Sequence, residues 1–298
     1  MKDRSVGVIG AGRVGTALGL ALVRAGYDLV GVTTRSAASR ERAARNLPGT
    51  PVLDPPAVAK SADILLLAVT DDAIERVAAE LAAGGHLHQG QIVFHASGAC
   101  GLAVLAPATD AGAAPLAIHP AMTFPGLETD ADNLAGLAYA ITSRPADRPL
   151  AEDLVRDLDG VPVWIADEDR TIYHAALVLG ANNLITLTAA AMEALAAAGV
   201  PDPGFVLAPL VRTSLENALR HGDQALTGPV RRADTGTIDA HIQALRDRAP
   251  GLVPAYLQFG LITALRAKRA ALNEADQLDR VIDLLEARAA EHRDDRTR

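Results

Sequence analysis

One cysteine, one tryptophan and three lysines are all that 298 residues contain of those types. With Cys100 alone, neither an intrachain disulfide nor a cysteine-based zinc cluster can form. Lys2, Lys60 and Lys268 all lie outside the apolar helix expected at 170–198, which excludes a mechanism needing a lysine on that helix. Aromatics are 3% of the chain, so the 49% that is hydrophobic is mostly Ala, Leu and Val, and the core packs small side chains closely. A basic excess is missing too. The 28 basic side chains face 36 acidic ones, a formal charge of −8, whereas phosphate backbones need a concentrated basic face. Nucleic acid is therefore not the expected partner. The longest apolar stretch, 177–200, contains Asn182, Asn183 and Glu193, which a membrane span tolerates poorly. Arg13 interrupts the first apolar stretch, unlike a secretory signal. A soluble cytoplasmic protein is expected, with no membrane partner.

What is present begins with a βαβ rhythm. Residues 5–10, 28–33, 64–69, 91–95, 116–118 and 137–142 read as strands, nearly continuous apolar runs of the kind that helices cover on both faces. Helical spacing occupies 14–25, 37–46 and 72–83 between them. The chain then changes character. A connecting helix at 151–158 and a last strand at 161–165 are followed by long helices at 170–198, 205–221, 238–249, 252–271 and 274–291, and by a charged, frayed tail at 292–298. Turn chemistry interrupts the helices at 199–204 and 225–236. The expected architecture is an α/β Rossmann domain, doubly wound with a mostly parallel sheet, over 1–145. A connector over 146–168 and an all-α substrate and dimerisation domain over 169–298 complete it.

Gly10-Ala11-Gly12-Arg13-Val14-Gly15 follows the first strand and opens the first helix. Gly10 permits the tight turn, Gly12 lets the backbone approach a pyrophosphate, and Gly15 allows close helix–strand packing. The amides near Arg13 and Val14 then face the phosphates. At the end of the second strand, Thr33-Thr34-Arg35-Ser36 offers a guanidinium and a hydroxyl and no carboxylate before Glu41, which suits the 2′-phosphate of NADP(H) better than NAD(H). Val69 and Thr70 end another strand, with Asp71 or Asp72 expected to cap the helix that follows. Thr70, His95 and Ser97 stand at carboxyl strand ends, where open α/β sheets bind ligands.

Of eight histidines, His86 and His88 lack further metal ligands, and His221, His241 and His292 belong on polar helix surfaces. His95, His119 and His174 remain. His119 precedes Pro120, a pairing that either aims the imidazole into a cleft or makes a stiff corner. His174 and Asn182, eight residues apart on an ideal helix, share a face, while Asn183 points away from His174. Their alternative role is hydrogen bonding within a packed core.

The segments GAGRVG, LLLAVTDDAI, FHASGA, IHPAMTF, YHAALVLGANNL and LTGPVRRADTGTI, in that order, resemble bacterial Rossmann-like proteins carrying a C-terminal domain of unknown function numbered 2520. That family is similar to ketopantoate reductase, pyrroline-5-carboxylate reductase and the β-hydroxyacid dehydrogenases, in a superfamily that also takes in 6-phosphogluconate dehydrogenase-like proteins. Those proteins join a Rossmann domain to a helical one and are often dimers through the helices. Some members of the family are taken to be ketopantoate reductases of pantothenate synthesis. The resemblance implies that Gly10, Gly12 and Gly15 form the phosphate loop and that Arg35 and Ser36 form an NADP-type strand end. It matches His174 and Asn182 to the family's helix, and Thr227, Gly228, Pro229, Arg232 and Asp234 to its TGPxxRGD stretch. Ala233 stands where that stretch has Gly, a penalty if the loop needs positive φ. Val178 occupies the place of the lysine that β-hydroxyacid dehydrogenases and ketopantoate reductases carry four residues before the asparagine.

The expected activity is NADPH-dependent reduction of a small 2-oxo acid, with ketopantoate the best single candidate. Asn182 would hold the carbonyl oxygen and His174 or His119 deliver the proton. Ser97, Arg231, Arg232 and Asp234 would contact the substrate. The alternatives are an imine reductase of the pyrroline-5-carboxylate type and a non-catalytic NADP(H) sensor. A homodimer is expected from the size and apolarity of the helical region.

Overall fold

A computed structural model describes residues 2–297. The chain divides into two compact units, one ending at Gly180 and the other beginning at Ala181. In the first unit, β1 (Ser5–Ile9), β2 (Asp28–Val32), β3 (Ile64–Leu67), β4 (Ile92–His95), β5 (Ala114–Pro120), β6 (Ala138–Ser143) and β7 (Val161–Trp164) form one sheet. Its order is β2-β1-β3-β4-β5-β6-β7. The pairs are parallel except β5 with β6, which run antiparallel. Around the sheet lie α1 (Arg13–Arg24), α2 (Ala37–Asn46), α3 (Pro55–Ser61), α4 (Asp71–Ala83), α5 (Ala106–Asp110), α6 (Arg148–Asp157) and α7 (Arg170–Leu177).

The strands read as continuous apolar runs because both faces are covered. Ile64 and Leu66 join one buried cluster, with Leu18, Phe94 and Leu116. Their neighbours Leu65 and Leu67 join a second on the opposite face, with Ile74, Leu81 and Val93. Two short helices escape the sequence periodicity. Asp54 caps α3 by accepting from the Ala57 amide, and Pro55 and Pro56 fill its first turn, so capping chemistry starts this helix. α5 likewise carries Pro107 near its start. β5 runs through Pro120, so His119 lies within the strand, opposite Ala140, and not beyond its end.

The second unit is helical: α8 (Asn183–Ala197), α9 (Pro203–His221), α10 (Gly228–Arg231), α11 (Thr235–Arg248), α12 (Val253–Arg269) and α13 (Ala275–Thr297). Its core is Val230, Ile238, Ile242, Val253, Leu257, Ala264, Val281 and Leu285. Four differences from the sequence reading stand out. α10 occupies part of the expected turn at 225–236, and α13 stays helical to Thr297 where a frayed tail was expected; Arg298 lies outside the described residues. α7, expected to open the helical domain, packs with the sheet unit because its first residue is buried there.

The fourth difference is a π-helical turn at Val178–Asn182 between α7 and α8. A π turn closes i to i+5 bonds and so holds more residues than an α turn, which invalidates the ideal count that set Asn183 opposite His174. The helical stretch Asp167–Ala197 is long and apolar enough to cross a membrane, by length and composition only, and none of its most apolar window is buried.

Candidate active site

The glycine loop has the geometry its sequence implies. Gly10 adopts φ +102°, and a Cβ there would lie 2.5 Å from the Ala68 oxygen. At Gly15 a Cβ would lie 2.1 Å from the Gly10 oxygen, so helix and loop touch backbone to backbone. Gly12 faces open space, and no side chain caps the N-terminus of α1. The β2 end locks the loop: Thr33 Oγ1 accepts from the Gly10 amide at 2.9 Å, and the Thr33 carbonyl accepts from Ala11 at 2.8 Å. Nearby, the buried Thr34 Oγ1 has no hydrogen-bond partner in the protein. An open, uncapped helix start beside an unpartnered buried hydroxyl fits the phosphates and ribose of a dinucleotide.

Around this loop, Arg35 is exposed and the Arg13 side chain packs against Gly126. Ser36 already caps α2, its Oγ accepting from the Ser39 amide at 3.1 Å. The Val69 side chain lies beside Gly10. Thr70, and not Asp71 or Asp72, is the N-cap of α4; the two aspartates sit in its first turn, favourable to the helix dipole.

At the carboxyl end of β4 the chain wraps around His95, which is wholly buried. Its Nδ1 accepts from the Ser97 amide at 3.2 Å, which leaves Nε2 to donate to the Gly101 carbonyl at 3.0 Å. Burial pushes its pKa down to about 4. His95 therefore shapes the loop and offers no free nitrogen. Ser97 does similar work, its Oγ accepting from the amides of Ala99 and Cys100.

Arg170, 1% exposed, sits behind this loop with no carboxylate among the described residues bonded to it. Its guanidinium donates to Ser97 O, Ala117 O, Ala140 O and Thr142 Oγ1 at 2.8–3.0 Å. Burial lowers its pKa to about 10, so it remains a cation at neutral pH. One helical turn on, Tyr173 Oη lies 3.0 Å from His119 Nδ1, with the rings edge to face. Burial first, and Arg170 next, push the His119 pKa down to about 4, while burial raises that of Tyr173. His174 completes the cluster. A Cβ on Gly98 would lie 2.8 Å from His174 Cδ2 and 3.1 Å from His119 Nε2, so the glycine admits both imidazoles to the loop.

The remaining expected site residues belong to the second unit. Asn182 ends the π turn and is exposed. Arg231 donates to the Asn273 side chain, and Arg232 is exposed. Asp234 caps α11, accepting from the Thr237 amide at 3.0 Å and its hydroxyl at 2.7 Å; these bonds lower its pKa. Ala233 does adopt the left-handed region, at φ +55°. No group of three or more metal-ligating side chains occurs among the described residues.

A model of the Rossmann-like domain matches residues 2–120, and one of the domain of unknown function DUF2520 matches residues 137–263. The chain is a Rossmann-like domain followed by DUF2520. No curated relative matches it. Solved structures share the fold at low identity. One, from Bacteroides fragilis and described as a candidate NADP oxidoreductase, is 22% identical, with 88% of this chain and 98% of that one covered at TM-score 0.75. An imine reductase of Myxococcus stipitatus in complex with NADP+ is 19% identical, covering 93% and 99% at TM-score 0.64. A reductive aminase of Aspergillus terreus with NADPH and ethyl-5-oxohexanoate is 18% identical, covering 93% and 98% at TM-score 0.66.

The DUF2520 match begins before β6, so it takes in β6, β7 and α7 with Arg170, Tyr173 and His174. Arg170 and Tyr173 are the site residues that sequence reasoning missed. One signal was available. A cation opening a helix opposes the helix dipole, so an arginine there needs partners elsewhere.

Proposed function

We propose that this Rossmann–DUF2520 protein is an NADPH-dependent reductase of a small 2-oxo acid, with ketopantoate as the leading candidate substrate. The observation that carries the reading is the pairing, within one sheet unit, of an open glycine loop with a cluster of His119, Tyr173, His174 and buried Arg170 at the carboxyl strand ends. Ligands of open α/β sheets bind on that side.

Reduced NADP supplies the hydride when bound. Gly10, Gly12, Gly15 and the amides of Arg13 and Val14 hold the pyrophosphate, Arg35 pairs with the 2′-phosphate, and Val69 and Thr70 border the nicotinamide end. Ser36, engaged in capping α2, contributes less than Arg35. Oxygen gaining charge at the substrate needs a donor, the role proposed for Asn182, with His174 also touching substrate. Arg232, exposed, is a better carboxylate partner than Arg231, which is tied to Asn273. Asp234 supports this segment by capping α11.

Reduction of an imine is the second reading, favoured by the several structural neighbours described as imine reductases or reductive aminases. An iminium is already protonated, however, so a phenol–imidazole pair does more for an oxo group. A sensor without turnover is the third.

We further propose a cytoplasmic homodimer. No residue of α8 or α9 is buried in the single chain, and Ile185, Phe205, Leu210 and Leu219 are all exposed. An apolar hollow of about 400 Å³, lined by Leu187, Ala191, Pro229, Leu245 and Phe259, extends this face. A second copy would remove it from water.

NADPH oxidation by the purified protein is the deciding assay, with ketopantoate, other 2-oxo acids and cyclic imines as substrates and NADH in parallel. Turnover of ketopantoate with NADPH supports the reading. Turnover of imines alone replaces it with the second, and cofactor binding without any turnover leaves the sensor.

A further inference from the structure

We propose that the Tyr173 phenol is the proton donor of this site and that His119 is its relay, a role that rests on the reductase reading. The sequence directs attention to the histidines, and two of them, His95 and His119, are removed as stored acids by their surroundings. Both nitrogens of His95 are bonded to backbone. His119, with a pKa near 4, carries a second proton in only about one molecule in a thousand at pH 7. It is a neutral imidazole, not a stored acid. Ser97 Oγ is held in the loop by two amides and is a far weaker acid than a phenol, and Thr142 Oγ1 has its hydrogen committed to Ile165 while accepting from Arg170.

Tyr173 differs from each of these. Among the described residues its Oη has a single partner, His119 Nδ1, and its side chain is only half-buried, which leaves one hydrogen-bond direction open. Arg170 on the same helix fixes its place, because four bonds from that guanidinium to β5, β6 and the β4 loop pin the start of α7. Rigid support of this kind holds a donor where charge develops. Burial keeps the phenol protonated at neutral pH, and the cation of Arg170 opposes that shift only in part. The groups facing His119 electrostatically are Arg170, His174, Asp71 and His95.

The step balances. As a hydride adds to the carbonyl carbon, a C–H bond forms and the π pair moves to oxygen. The Tyr173 O–H breaks and its proton goes to that oxygen, a downhill transfer because an alkoxide is far more basic than a phenolate. The phenolate takes the Nδ1 hydrogen of His119 while Nε2 takes one from solvent, and proton exchange with solvent restores the Nδ1–H tautomer before the next turnover. The relay requires His119 to be the Nδ1–H tautomer, donating to Tyr173 and leaving the phenol hydrogen free.

Two measurements test this. Nitrogen NMR of histidine-labelled protein, free of cofactor, is expected to show His119 as the Nδ1–H tautomer with a shift that moves in Tyr173→Phe while His95 does not move. An Nε2–H tautomer for His119 overturns the proposal whatever the protein's activity. In turnover, Tyr173→Phe is expected to lower kcat about 100-fold with NADPH affinity unchanged. Wild-type kcat in that variant overturns the proposal and leaves the reductase reading intact. A wild-type protein that reduces nothing overturns the reading, and the proposal with it.

Discussion

The guanidinium of Arg170 donates from Nη2 to the carbonyl oxygen of Ala117 at 2.8 Å, joining residues 53 apart in the chain. The same nitrogen reaches Ala140 on the antiparallel neighbour of β5, so one side chain fastens α7 across two strands. Removing it leaves buried acceptors without partners, each at a cost of about 1–3 kcal/mol. Arg170→Met is expected to lower unfolding stability by about 3 kcal/mol or more in urea. Arg170→Lys should recover only part, because an ammonium lacks the planar fork. A Met variant within about 1 kcal/mol of wild type would show that the four bonds contribute little.

Gly98 sets how closely the β4 loop approaches His119 and His174. A methyl there requires both rings to move, and displacement of reacting groups by an ångström costs up to about 100-fold. Gly98→Ala should therefore lower kcat/KM at least tenfold with stability reduced by about 1–3 kcal/mol. Unchanged kinetics would mean that the imidazole positions do not matter.

Arg35 and Ser36 separate cofactor choice from helix capping. Arg35→Ala is expected to weaken NADPH about 10- to 100-fold in fluorescence titrations, with NADH little affected. Ser36→Ala should instead lower stability by about 1 kcal/mol, since its hydroxyl caps α2. Equal loss for both cofactors in the Arg35 variant would argue against a 2′-phosphate contact.

Acid should destabilise the sheet unit earlier than carboxylate titration alone predicts. The folded pKa values of His95 and His119 lie near 4, below the ordinary histidine value. The unfolded chain thus binds more protons between about pH 6.5 and 4, and stability falls as pH drops through that window. For buried His95 the full effect is on the order of 3 kcal/mol. Denaturant melts across this range in wild type and His95→Gln will measure it; identical pH slopes would refute the assignment.

Phe205 and Leu219 are each 79% exposed on α9. Sedimentation of the wild type should give twice the chain mass, and Leu219→Asp should shift it toward one. A monomeric wild type would refute the dimer.

Much of this molecule is readable along the chain. Each of the seven strands has its apolar run, and the glycine loop announces both its turn and its open face. α3 and α5 are too short for periodicity; a proline in the first turn marks both, and a capping aspartate marks α3 alone. The π turn is hidden for a different reason: Gly180 weakens the helix locally but does not record that an extra residue enters the turn.

The sequence by itself determined the sheet unit, the helical unit and the glycine loop, because burial of a strand or helix face is written in local spacing. Only the tertiary structure decided that Arg170 reaches Ala117 and Ala140 and that Tyr173 meets His119 across 54 residues. Hydrogen-bond partners of buried polar groups depend on which strands become neighbours. The order of the sheet settles that, and no local pattern records it.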